Sequence, residues 1–140
     1  MSIAVAVADS KEGREALRAA AEEAREQGTD LVVVNLALGD LDTGALPAGL
    51  RHEVVNRMGS ADNDPVEVVL DALEERPEVT RLVIGLRRRS PIGKAVLGST
   101  SQRLLLESPV PVLAVKPAPG VTFSGAAPSG RRRRRARPRR

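Results

Sequence analysis

Ile3-Ala4-Val5-Ala6-Val7-Ala8 is followed by Asp9-Ser10, a helix-patterned run that closes at Gly28, and then Leu31-Val32-Val33-Val34-Asn35-Leu36. The two apolar runs read as strands covered on both faces, because apolar residues fill successive positions instead of alternate ones. Between them Ala16, Leu17, Ala20 and Ala24 recur at helical spacing, Asp9 or Ser10 offers an N-cap, and Gly28 is a stop signal. Strand, helix and strand in that order predict parallel pairing through a right-handed crossover.

The same alternation continues outward. His52 to Met58 predicts a third strand and Gly59 to Asp64 a polar turn. Pro65 opens a helix to about Glu75, with Val66, Val69, Leu70 and Leu73 on one side. Arg81 to Gly85 is the fourth strand, Gly98 to Glu107 a helix, and Val110 to Val115 the fifth strand, where Pro111 favours an edge. Residues 37 to 50 hold three glycines and a proline among scattered leucines, too broken for a long helix. The expectation is a doubly wound, Rossmann-like α/β domain over residues 1 to 116.

At 140 residues the chain is one domain, long enough to bury roughly 60 to 70% of the surface its unfolded form exposes. With no Cys and one His, His52, it has neither a disulfide framework nor a histidine metal cluster, so no metal is expected. His52 reads as a surface histidine on an edge strand. No apolar run approaches the ~18 residues of a membrane span, which makes the expected compartment cytoplasmic.

The net charge of +4 conceals two parts. Eight of the 22 basic residues are arginines in Arg131 to Arg140, and without them 14 basic residues face 18 acidic ones. Residues 1 to 130 are therefore mildly acidic. Residues 117 to 130, rich in Pro, Gly, Ala and Ser, read as a linker, and residues 131 to 140 as a disordered Arg-rich tail with no apolar face to bury. Such a polycation suits nonspecific contact with nucleic acid or an anionic surface.

Function is most legible in Arg81-Leu82-Val83-Ile84-Gly85-Leu86-Arg87-Arg88-Arg89-Ser90-Pro91-Ile92-Gly93-Lys94-Ala95-Val96-Leu97-Gly98-Ser99-Thr100. Gly85 permits a close backbone approach at a strand end. Gly98, Ser99 and Thr100 stand where a helix begins, with unpaired N–H groups and hydroxyls. Arg87, Arg88, Arg89 and Lys94 lie between, so the stretch reads as an anion cradle. Singly, Gly85 serves equally well as a strand-end turn, and Ser99 as a helix cap.

This spacing resembles the nucleotide loop of the universal stress protein family: glycine, two residues, glycine, nine residues, then glycine with serine or threonine. Gly85 fills the first position, Arg89 to Leu97 supply the nine residues, and Gly98-Ser99 closes the motif, while Arg88 replaces the middle glycine. Ile3 to Ser10 looks like the family's first strand and Pro109 to Val115 like its last, so the likeness extends over most of residues 3 to 116.

The resemblance implies a five-stranded parallel sheet of order 3-2-1-4-5 with helices on both faces, the second helix here shortened or absent. It also implies ATP or a related adenine nucleotide at the crevice where the strand order reverses, a role in stress response through conformation or partners, and a homodimer through residues 110 to 115. Ala8, Asp9, Gly85, Arg87, Arg88, Gly98, Ser99 and Thr100 are the implied nucleotide-binding residues. Two of them depart from the pattern: the family's nucleotide-binding branch ends its first strand in an aspartate, where this chain has Ala8 followed by Asp9. Arg88 adds bulk but also a planar phosphate donor.

Other chemistries fit less well. A P-loop needs Gly-Lys-Ser or Gly-Lys-Thr, and Gly93-Lys94 runs into Ala95. The dinucleotide fingerprint is missing after the first strand, and no Gly-x-Ser-x-Gly elbow accompanies the single histidine. No catalytic residue is assigned, and at most slow ATP hydrolysis is expected. The alternative function is a nucleic-acid-associated protein whose tail supplies affinity and whose body is a dimerisation platform.

Overall fold

The computed structural model describes residues 1–57, 64–89 and 94–116. The expected linker and tail, with most of the expected turn before Asp64, lie outside the described residues. In chain order the elements are β1 (Ser2–Val7), α1 (Lys11–Gln27), β2 (Asp30–Asn35), β3 (His52–Asn56), α2 (Pro65–Glu74), β4 (Val79–Gly85), β5 (Arg87–Arg89), β6 (Lys94–Val96), α3 (Ser99–Glu107) and β7 (Val112–Val115). Five strands form a parallel sheet in the order β3-β2-β1-β4-β7, which is the expected 3-2-1-4-5.

The period of two along the strands divides the core. Ile3, Val5, Val7, Leu31, Val33 and Val83 face α1, which presents Ala16, Leu17, Ala20, Ala21 and Ala24. Ala4, Ala6, Val32, Val34, Leu82 and Ile84 face the other way, toward Val66, Val69, Ala72 and Leu73 of α2 and Leu104 of α3. Central β1 is buried at every position, as its unbroken apolar run requires. Its alanines and those of α1 leave room for close helix-on-sheet packing.

Local chemistry sets the boundaries. Of the two candidate caps for α1, Ser10 is the one used: its Oγ accepts from the Gly13 N–H at 3.1 Å. Gly28 ends the helix in the left-handed region at φ 67°, donating its N–H to the carbonyls of Ala24 and Arg25. Asp64 caps α2 through the Val66 N–H, and Pro65 occupies the first turn, where its missing N–H has no cost.

Two boundaries differ from expectation, while the second helix, expected to be shortened or absent, is absent. The last strand begins at Val112, after Pro111, whose carbonyl still accepts from Leu82 N–H at 2.9 Å. Proline lacks the N–H that would extend the ladder, and β7 is an edge strand. The basic segment expected as a loop contains an antiparallel ribbon, β5 with β6, pairing Arg87 with Val96 and Arg89 with Lys94. Backbone pairing there is indifferent to the charge that marks the segment in sequence. Between β2 and β3 no helix forms: the Ala37 N–H donates to Asn35 Oδ1 at 3.1 Å, an Asx turn that diverts the chain, and Leu41, Leu46 and Leu50 cover the sheet instead.

Candidate functional site

The carboxyl ends of β1 and β4 diverge at the point where the strand order reverses, and the start of α3 closes the gap between them. A hollow of about 110 Å³ results. Its apolar wall includes Ala6, Leu36, Ile84 and Leu104, and its polar wall Ser10, Glu12, Arg87, Ser99, Thr100 and Ser101. Among the described residues no side chain caps the first turn of α3, whose N-cap is Gly98 at φ −72°. The N–H groups of that turn and the positive end of the helix dipole therefore stand ready for an anion.

Packing places α3 here. Leu104 is its one fully buried residue, set into the core beneath the hollow. Arg103 Nη1 donates to Asp64 Oδ2 at 2.9 Å and binds the helix to the head of α2. That guanidinium, with the Val66 N–H, holds the Asp64 carboxyl below its ordinary value. Ser101 Oγ reaches the Gly85 carbonyl at 3.4 Å, linking α3 to the end of β4.

Two glycines bring α1 to the same point. A Cβ on Gly13 would overlap the Ala8 carbonyl, and one on Gly85 would stand 2.5 Å from the carbonyl oxygen of Glu12. The backbones thus touch where any side chain would separate them. This contact carries the Glu12 carboxylate to the polar wall, where its Oε2 lies 3.8 Å from Arg87 Nε. The Arg87 guanidinium also lies over Gly98, with Nε 3.5 Å from the position a Cβ there would take.

Of the residues implied by the sequence, Ala8, Gly85, Arg87, Gly98, Ser99 and Thr100 line this one hollow. Asp9 does not. It lines the adjoining groove of about 910 Å³ on the α1 side, between that helix and residues 37–47, which shares Ala8 with the hollow. The Arg88 side chain lies outside what is described. Sequence reasoning did not single out Glu12 or Ser101. Helical spacing places each in a first turn, but that the strand ends meet those turns is a property of the folded chain.

An adenine nucleotide meets a mixed fit. The amides and hydroxyls of α3 and the Arg87 guanidinium suit a phosphate, while the hollow is too small for a whole nucleotide and the wider adjoining groove, which shares Ala8 with it, has the room for a base. Ala8 offers no carboxylate to a ribose hydroxyl.

Comparisons with known proteins match this architecture. The Universal stress protein family profile matches residues 48–116. A universal stress protein of Mycolicibacterium smegmatis is 42% identical over an aligned 118 residues, taking in 75% of this chain and 89% of its own. Among solved structures, a universal stress protein from Archaeoglobus fulgidus is 31% identical with a TM-score of 0.59, covering 83% of this chain and 98% of that one. A universal stress protein from Archaeoglobus fulgidus in complex with dAMP is 26% identical with a TM-score of 0.54, again over 83% of this chain and 98% of that one.

Proposed function

The chain belongs to the universal stress protein family, and from that premise we propose that its hollow binds an adenine nucleotide, with ATP within the class. The phosphate would lie in the hollow against the first turn of α3 and Arg87, and the sugar and base past Ala8 in the adjoining groove. The observation that carries this reading is that Gly85, Arg87, Gly98, Ser99 and Thr100, scattered over two sequence clusters, line one hollow beside an uncapped helix start. A relative 26% identical has been solved with dAMP, which supports an adenine nucleotide over other phosphorylated ligands. The protein acts in stress response through the conformation or partners of the nucleotide-bound form.

Calorimetric titration of AMP and ATP into the full chain and a Gly98→Val variant tests the site. A bare Cβ at position 98 would make ordinary contact with Arg87, so valine is tolerated by the fold while its methyl groups obstruct the anion. Binding to the wild type and its loss in the variant are expected; equal binding by both, or binding by neither, overturns the assignment.

Assembly belongs to the same proposal. Among the described residues β7 is an edge strand with no strand on its outer side, and Leu113 on it is 44% exposed. A second copy pairing there would cover both, giving a homodimer.

A further inference from the structure

We propose, resting on the nucleotide reading above, that Glu12 biases the hollow within that class, favouring nucleotides with a single phosphate over the triphosphate. A carboxylate in an anion site is a local contradiction that the position of α1 enforces. Glu12 is the one acidic side chain lining the hollow among the described residues, opposite the one lining cation, Arg87.

It has little room to withdraw. The Glu12 carbonyl would lie 2.5 Å from a Cβ on Gly85, its own Cβ 3.3 Å, and the Ser10 cap holds the turn from the other side. The carboxylate is only 29% exposed, so solvent screens it incompletely. Its 3.8 Å separation from Arg87 Nε is an ion pair without a hydrogen bond, so the guanidinium is left with donors free to turn toward a phosphate at Gly98.

Among the described residues, Glu12 and Arg87 together contribute no net charge, and the α3 N-terminus adds about half a positive charge. That balance suits one phosphate held against the helix. A triphosphate brings further negative charges into the range of Glu12, and each is repelled at a distance where Coulomb energy in a partly buried site is substantial. Arg87 thus orients the phosphate, and Glu12 grades ligands by charge.

Titrations of AMP and ATP at equal ionic strength in metal-free buffer, on the full chain and a Glu12→Gln variant, test this. Glutamine keeps the shape and removes only the charge. The wild type is expected to bind AMP more tightly than ATP, and Glu12→Gln to strengthen ATP binding about tenfold while changing AMP binding less than about threefold. A Glu26→Gln control, with the same change in net charge on an exposed residue at the far end of α1, is expected to leave the AMP-to-ATP ratio unaltered.

An unchanged ratio in Glu12→Gln, or the same shift in Glu26→Gln, overturns the role of Glu12 and leaves the nucleotide site standing. A wild type that prefers ATP also overturns it. Binding of neither nucleotide to any variant overturns the nucleotide reading and this inference together.

Discussion

The backbone of Gly85, at the end of β4, meets the carbonyl of Glu12, in the first turn of α1, so closely that a Cβ at position 85 would stand 2.5 Å from the oxygen. The glycine that opens the family's loop motif therefore has a structural task in this chain as well as the one its motif position implies. It lets the helix seated on one face of the sheet reach the hollow at the strand ends.

Replacing Gly85 by alanine forces α1 and β4 apart. Overpacking of this kind costs about 1 to 3 kcal/mol, and we expect the urea midpoint of Gly85→Ala to fall accordingly. AMP binding should weaken about tenfold, because the polar wall of the hollow moves with the helix. A variant as stable as the wild type would show that the contact relaxes without cost.

Leu104 couples stability to the site. It is 1% exposed and anchors α3 from below the hollow. Leu104→Ala is expected to lose about 2 to 5 kcal/mol in chemical denaturation. At temperatures where it remains folded, it should bind nucleotide more weakly than the wild type, since the amides of the first turn are no longer held in place. Full retention of binding in the folded variant would show that Arg103 and Ser101 suffice to position the helix.

Acid should weaken the fold through three carboxylates. Hydrogen bonds from Arg51, Arg76 and Arg103 hold Asp30, Glu53 and Asp64, respectively, below their ordinary values. A carboxyl whose folded-state value is depressed adds stability that is fully present above its unfolded value, about 4, and is lost as pH falls through the folded value. Urea midpoints should therefore be level from about pH 7 to 5 and decline below about pH 4. All three groups lie at the surface, so the decline should be modest and partly suppressed by salt. Arg103→Gln should flatten the part due to Asp64; an unaltered profile in that variant would discount this pair.

The edge strand yields a prediction on assembly. Leu113→Glu places a charge on the exposed side of β7, and like charges would then face each other across a two-fold interface. Sedimentation should show a dimer for the wild type and a monomer for the variant. A wild type that remains monomeric at high concentration removes the proposed interface.

Much of this architecture is legible along the chain because periodicity is a local property. Apolar runs at residues 3–8 and 31–34 become the central strand β1 and its neighbour β2, and the alanine spacing of α1 becomes its buried face. Ser10, Gly28, Asp64 and Pro65 punctuate the helices through bonds that reach no further than four residues. The nine-residue spacing before Gly98-Ser99 likewise marks two loops that the strand reversal brings to one end of the sheet.

What depended on the folded chain is where each side chain faces at those strand ends. Asp9 and Glu12 are both acidic residues beside Ser10, and nothing in their spacing distinguishes their fates. Asp9 turns to the groove along α1, whereas Glu12 is carried to the hollow by the contact between Gly85 and the first helical turn. The sequence by itself determined the alternation of strands and helices, since burial pattern and capping act between near neighbours. Only the tertiary structure decided the charge inside the hollow, because that rests on how closely a helix and a strand far apart in the chain pack together.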